Sequence, residues 1–222
     1  MLLMVTGGIG CGKSAYADSL AEDLGREAIR LACPAWPSDA QDRPPSGEPA
    51  SFHSLEERGE RGFLWSRYPA DGGLASRLDR INRDSNPFRA ERRVVLVDSL
   101  SGWLRQAVAE ASRSEGGRER VGGSADIGQA ERIGQRAEVK RSLVESAFRE
   151  VLRAVFAFQG TRIIVTEDTL AGLAADPWER LYISLLCEAN LRLSEQAHAI
   201  YRMTSGLAAE VRGERVKRRY RS

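Results

Sequence analysis

Lysine, histidine and cysteine are all scarce in this chain, and each scarcity narrows the field. Among 33 basic residues only Lys13, Lys140 and Lys217 are lysines, so the position of each one carries information. The cysteines are Cys11, Cys33 and Cys187. An odd count without C-x-x-C spacing argues against a disulfide framework and a zinc site, and fits a reduced, cytoplasmic compartment. No apolar run approaches the ~20 residues that span a bilayer. Residues 1–6 form a short apolar run with no basic start, unlike a signal peptide. An excess of either charge is lacking too: 33 Lys and Arg against 31 Asp and Glu leave +2, which gives no argument for nucleic acid or acidic membrane as partner.

What is present suits one folded unit. The 222 residues are 42% hydrophobic, enough for a single α/β core over 1–211 followed by a basic tail, 212–222. Short apolar runs at 2–6, 28–32, 94–97, 162–165 and 199–203 read as strands. Several are unbroken rather than alternating, as in a parallel sheet covered on both faces. Between them, residues 14–24, 139–158 and 177–197 carry helical spacing. Gly25 stands where a C′ glycine belongs, and Pro177 suits a first turn. Residues 34–50, rich in Pro, Ser, Asp and Gly, read as an irregular loop, and the Gly-, Arg- and Glu-rich stretch 112–134 as a mobile insertion.

The motif with the clearest chemistry is Gly7-Gly8-Ile9-Gly10-Cys11-Gly12-Lys13-Ser14, a G-x-x-x-x-G-K-S sequence between a strand and a helix. Its glycines let backbone N–H groups turn inward around phosphate oxygens, and the following helix adds its positive end. Lys13 brings a point charge to the β and γ phosphates of ATP or GTP, and Ser14 can ligate Mg2+. By composition alone such a match arises in roughly 0.3% of chains like this one, so an accidental glycine turn is disfavoured. The run Val94-Val95-Leu96-Val97-Asp98 supplies the matching carboxylate, with Asp98 holding Mg2+; Ser99 or Ser101 is free to cap the next helix instead. The fold expected is a P-loop NTPase-like (RecA-like) three-layer α/β fold with a mainly parallel sheet of five or six strands. Glu167 and Asp168 follow another buried strand at the edge where ligands gather, as a base, a second metal ligand or a turn cap.

The block Asp98-Ser99-Leu100-Ser101-Gly102-Trp103-Leu104 resembles the Asp-Cys-Leu-Thr-x-Trp-Leu block of the bifunctional adenosylcobinamide kinase/adenosylcobinamide-phosphate guanylyltransferase family. Val5-Thr6-Gly7-Gly8 matches its opening, and Asn190, Leu193, Ala197 and Gly206-Leu207 match its last helix and strand. The resemblance implies two transfers on a corrinoid in cobalamin biosynthesis. A phosphoryl group goes to a hydroxyl; then GTP guanylylates an enzyme histidine, which passes GMP to the new phosphate. It also implies a homo-oligomer. His53, followed by Arg58 and Trp65, stands in the family's order around the guanylated histidine, whereas His198 takes a position usually held by Asp. A neutral imidazole can attack an α-phosphorus and leave again.

The chain departs from the family pattern at Gly10 and Cys11, where Arg and Ser are usual, and at Glu167-Asp168-Thr169-Leu170, where Asn-Glu-Val-Gly is usual. The same residues would also serve a P-loop kinase of another small molecule, or a nucleotide-binding regulatory protein that has lost transferase activity.

Overall fold

The computed structural model describes residues 1–33, 55–58, 62–85, 92–116, 127–169, 174 and 176–213. The expected irregular loop 34–50, Trp36 and His53 lie outside them.

Elements alternate along the chain: β1 (Leu2–Gly7), α1 (Lys13–Leu24), β2 (Glu27–Ala32), β3 (Leu55–Arg58), β4 (Leu64–Pro69) and α2 (Leu74–Asp84). There follow β5 (Arg93–Asp98), α3 (Leu100–Gly116), α4 (Ile127–Ala157), β6 (Thr161–Val165), α5 (Pro177–Gln196), β7 (Ala199–Thr204) and β8 (Leu207–Gly213). The strands form one 8-stranded sheet in the order β3-β4-β2-β5-β6-β1-β7-β8. Its six inner strands are mutually parallel, while β3 and β8 pair antiparallel at the two edges.

All five strands expected from apolar runs are present, and the sheet exceeds five or six because β3, β4 and β8 were not anticipated. Each of these lacks an unbroken apolar run. The sequences LEER and LAAEVRG are polar or mixed, as edge strands can be, and β8 is exposed along its whole length; LWSRYP, one strand in from the edge, has a mixed pattern with Trp65 buried. Helix is also found where an insertion was expected: α3 continues to Gly116 and α4 begins at Ile127, so only 117–126 of the stretch 112–134 is undescribed. The tail expected from 212 begins as the end of β8.

Period-two alternation sorts the strand residues into two cores. Leu3, Val5, Ala28, Leu96, Ile163 and Val165 face Ala17, Leu20 and Ala21 of α1. Leu2, Met4, Leu31, Val95, Val97 and Ile164 face Trp103, Phe148, Val155, Leu186 and Leu193 from the other helices. The result is the expected three-layer fold, in which α1 is the one described helix on its face of the sheet. Each fully buried Leu or Val here stabilises by about 1.5–3 kcal/mol.

Gly25 closes α1 for a reason other than the one expected. Its φ of −117° is open to any residue. A Cβ there, however, would lie 2.9 Å from Val94 Cγ2 and 3.0 Å from the Arg92 carbonyl, so glycine permits close packing of helix end against strand. Asp176 caps α5 by accepting from Trp178 N at 3.0 Å, with Pro177 in the first turn as expected.

Candidate active site

The cradle begins where β1 ends, and geometry requires glycine at Gly7, Gly10 and Gly12. Gly7 has φ +147°, and a Cβ there would sit 2.5 Å from the Met203 carbonyl oxygen on the neighbouring strand. Gly10 and Gly12 have φ of +73° and +91°, the left-handed region that glycine occupies without cost. Gly12 is the N-cap of α1 and has no side chain to satisfy the helix's first N–H groups, so these remain directed toward the mouth of the loop.

The loop is held from the side by the β7–β8 hairpin. Ser205 and Gly206 both have positive φ, 49° and 82°, at the tip joining the two strands. Gly206 N donates to the Cys11 carbonyl at 3.1 Å. Met203 lies beneath Gly7 and Gly12.

Lys13 opens α1 and is only 8% exposed. Its ammonium donates to the carbonyls of Gly7 at 3.1 Å and Gly8 at 2.6 Å, so the charge is drawn inside the ring of the loop. Cys11 Sγ lies 3.9 Å away. Gly8 and Ile9 are exposed at the rim.

Asp98 ends β5, two strands from β1 with β6 between, or about 10 Å across the sheet. Ser14 Oγ donates to its Oδ1 at 3.2 Å, so the two expected metal ligands meet. Ser99 Oγ accepts from Gly102 N at 3.0 Å and caps α3, which leaves the Asp98 carboxylate free of that duty. One serine hydroxyl and one carboxylate, all oxygen donors at a helix N-terminus, fit Mg2+, which takes few protein ligands and completes its shell with phosphates and water. Among the described residues no group of three or more His, Cys, Asp and Glu could hold a metal.

The other Asp98 oxygen is bound by Arg30 of β2, whose Nη2 donates to Oδ2. The same guanidinium donates through Nη1 to both oxygens of Asp18 on α1, at 2.9 and 2.7 Å. Burial raises the Asp18 carboxyl above its ordinary range and the Asp98 charge adds to this, against the opposing pull of Arg30. Neither Arg30 nor Asp18 was picked out from sequence. The available signal was the arginine itself, a charge inside the buried run AIRLA.

Asp168 reaches the same edge and is used for bracing. Thr6 Oγ1 donates to Oδ1 at 2.6 Å, Arg202 Nε donates to Oδ2 at 3.0 Å, and Asp168 N donates to the Gly7 carbonyl at 3.2 Å. Glu167 is paired with Arg105 and is close to Tyr182, whose hydroxyl also accepts from Arg105 at 3.0 Å. Burial pushes the Tyr182 phenol up to about 12. Asn190 ties down the exit of β6, accepting from Thr166 Oγ1 and donating to the Glu167 carbonyl, both at 2.8 Å.

Trp65 is not brought to this edge. It pairs with Ala28 in the amino-terminal half of β4, is buried against Phe63, and donates from Nε1 to Glu22 at 3.2 Å. Its bulk completes the α1-side core, which is why it stands away from the cradle. Arg58 pairs in register with Leu64, also at the amino end of β4. His198 lies at the amino end of β7, where its Nδ1 accepts from Leu2 N at 3.2 Å. Trp103 and Trp178 are packing residues: Trp103 stacks on Phe148, and Trp178 is buried. No helix among the described residues is long and apolar enough to cross a membrane.

A family model described as cobinamide kinase / cobinamide phosphate guanyltransferase matches residues 3–211. No curated protein matches the chain. Among solved structures, a prototypical ATPase from the type III secretion system of pathogenic bacteria is similar at 12% identity and a TM-score of 0.41. That likeness covers 94% of this chain and 57% of the other, so the chain spans little more than half the ATPase's length.

Proposed function

Because the chain belongs to the cobinamide kinase / cobinamide phosphate guanyltransferase family, and so is a transferase, we propose that it performs both transfers on a cobinamide in cobalamin assembly or salvage. The observation that carries the phosphoryl step is the meeting of Ser14 and Asp98 beside the Lys13 cradle. The N–H groups of residues 8–14 surround the phosphates of the bound triphosphate, and Lys13 exchanges its carbonyl partners for phosphate oxygens. Ser14 and Asp98 would hold Mg2+, which would supply charge neutralisation for the transfer. The substrate hydroxyl oxygen attacks the γ-phosphorus, the bond to the β-phosphate oxygen breaks, and the hydroxyl proton passes to water. Acceleration comes from positioning and charge stabilisation, since this transfer asks for little covalent help.

In the guanylyl step His53 attacks the α-phosphorus of GTP and pyrophosphate leaves. A phosphate oxygen of the cobinamide phosphate then takes the guanylyl group and releases the imidazole. Two observations favour His53. The other histidine, His198, is committed to a backbone N–H at the far end of the sheet. The strand that follows His53 begins with Leu55 opposite Arg67, in the carboxyl half of β4. Assembly of several copies in the cytoplasm belongs to the same reading.

The test is incubation with Mg2+ and α-labelled GTP, followed by intact mass and peptide mapping. An acid-labile, base-stable GMP adduct is expected, absent from His53→Ala and formed at least about 10²-fold more slowly in Lys13→Ala. A wild-type protein that binds GTP but forms no adduct would remove the guanylyl half. Turnover undiminished in Lys13→Ala would remove the phosphoryl half.

A further inference from the structure

Besides the direct contact from Ser14, Arg30 of β2 links the cradle helix to the carboxylate at the end of β5. Its guanidinium is engaged by Asp18 on one side and by Asp98 on the other, and the three side chains are 15%, 30% and 9% exposed. A cation therefore already stands between two carboxylates, in the place where a divalent metal would otherwise be drawn. The planar fork suits this position, because separate N–H pairs can address two acids at once. It also occupies Asp98 Oδ2 and leaves Oδ1 turned to Ser14, on the cradle side.

We propose that Arg30 is a positioning residue and resident counter-ion: it blocks metal capture by Asp18 and Asp98 alone and admits the divalent cation only on the Ser14 side, together with the triphosphate. The proposal rests on the phosphoryl-transfer reading above, and deepens it by making nucleotide a condition of metal binding. Its physical basis is Coulombic. Removing this partly buried cation leaves Asp98 and Asp18 repelling each other, with Arg67 as a remaining cation that acts on Asp18, and the repulsion is relieved by any metal that enters. Replacing it with lysine keeps one charge but not the fork.

The test is Mn2+ binding to the full chain, followed by electron paramagnetic resonance of free Mn2+, with and without GTP. Wild type is expected to bind Mn2+ weakly alone and strongly with GTP. Arg30→Gln is expected to bind Mn2+ without nucleotide about tenfold tighter than wild type, and Asp18→Asn in the Arg30→Gln background to return it toward wild type. Arg30→Lys is expected to fall between wild type and Arg30→Gln, a graded restoration that general loosening of the fold would not produce. Thermal melts establish that each variant is folded. Should Arg30→Gln fail to fold, Arg30→Lys carries the test and must still gain Mn2+ affinity alone. No gain in any folded Arg30 variant, or tight nucleotide-free binding by wild type, overturns the proposal. A wild type that takes up no extra Mn2+ when GTP is added overturns the phosphoryl-transfer reading instead.

Discussion

Asp98 and Asp168 follow adjacent strands at the same edge of the sheet, and their bonding is nearly identical. Each gives one oxygen to a hydroxyl and the other to an arginine. What separates them is the origin of those partners. The hydroxyl at Asp98 is Ser14, part of the phosphate loop, and its arginine is shielded and shared with Asp18. The hydroxyl at Asp168 is Thr6, still within β1, and its arginine is 62% exposed. A carboxylate's role at such an edge is thus set less by its own contacts than by whether those contacts lead into the ligand's space.

The largest effect that could break this contrast is in Asp98→Asn. Phosphoryl transfer should fall by about 10²-fold or more, and the melting temperature should fall as well, because the amide still accepts from Ser14 but loses the shielded ion pair with Arg30. Steady-state kinetics at saturating Mg2+ would check it, and near-normal kcat would put Asp98 on a level with Asp168. Next comes Gly7→Ala, whose new methyl meets the Met203 carbonyl at a backbone angle hostile to L residues. A loss of about 2–4 kcal/mol in urea unfolding is expected, with nucleotide affinity reduced as the loop shifts. In Asp168→Asn the ion pair to Arg202 is lost and one hydrogen bond weakened, costing about 1–2 kcal/mol of stability. Turnover should stay within about fivefold of wild type, and a larger loss would give Asp168 a part in the chemistry.

The smallest effect lies at Tyr182, against Glu167 and Arg105. Its phenol is raised to about 12 by burial, so its stability contribution is complete below about pH 10 and disappears as pH rises through 12. Ultraviolet titration should show a late-ionising tyrosine that is absent from Tyr182→Phe. That variant should lose about 1 kcal/mol at neutral pH and little of its activity.

Much of this site was legible before any fold was considered, since the eight residues from Gly7 to Ser14 are contiguous and their chemistry depends on local backbone shape. Asp98 was legible because it ends an unbroken apolar run, and Ser99 as a cap because it follows directly. The position of Trp65 was not legible, for the opposite reason. Its nearness in sequence to His53 said nothing of its height on β4, which is decided by pairing with Ala28. The outer strands escaped notice because half-solvated edges do not require apolar runs, as LEER and LAAEVRG illustrate.

By itself, then, the sequence determined what neighbours along the chain can do: a glycine loop of tight left-handed turns, a lysine and serine at the head of a helix, and strands apolar enough to be buried. Those properties follow from backbone dihedrals and periodicity, which act over a few residues. Tertiary structure alone decided that Arg30 would reach across to Asp98 from 68 residues away, that Thr6 would claim Asp168 from 162 residues away, and that the β7–β8 tip would hold Cys11. Such contacts depend on strand order and register, in which one step along a strand turns a side chain to the other face, and no short stretch of sequence contains that information.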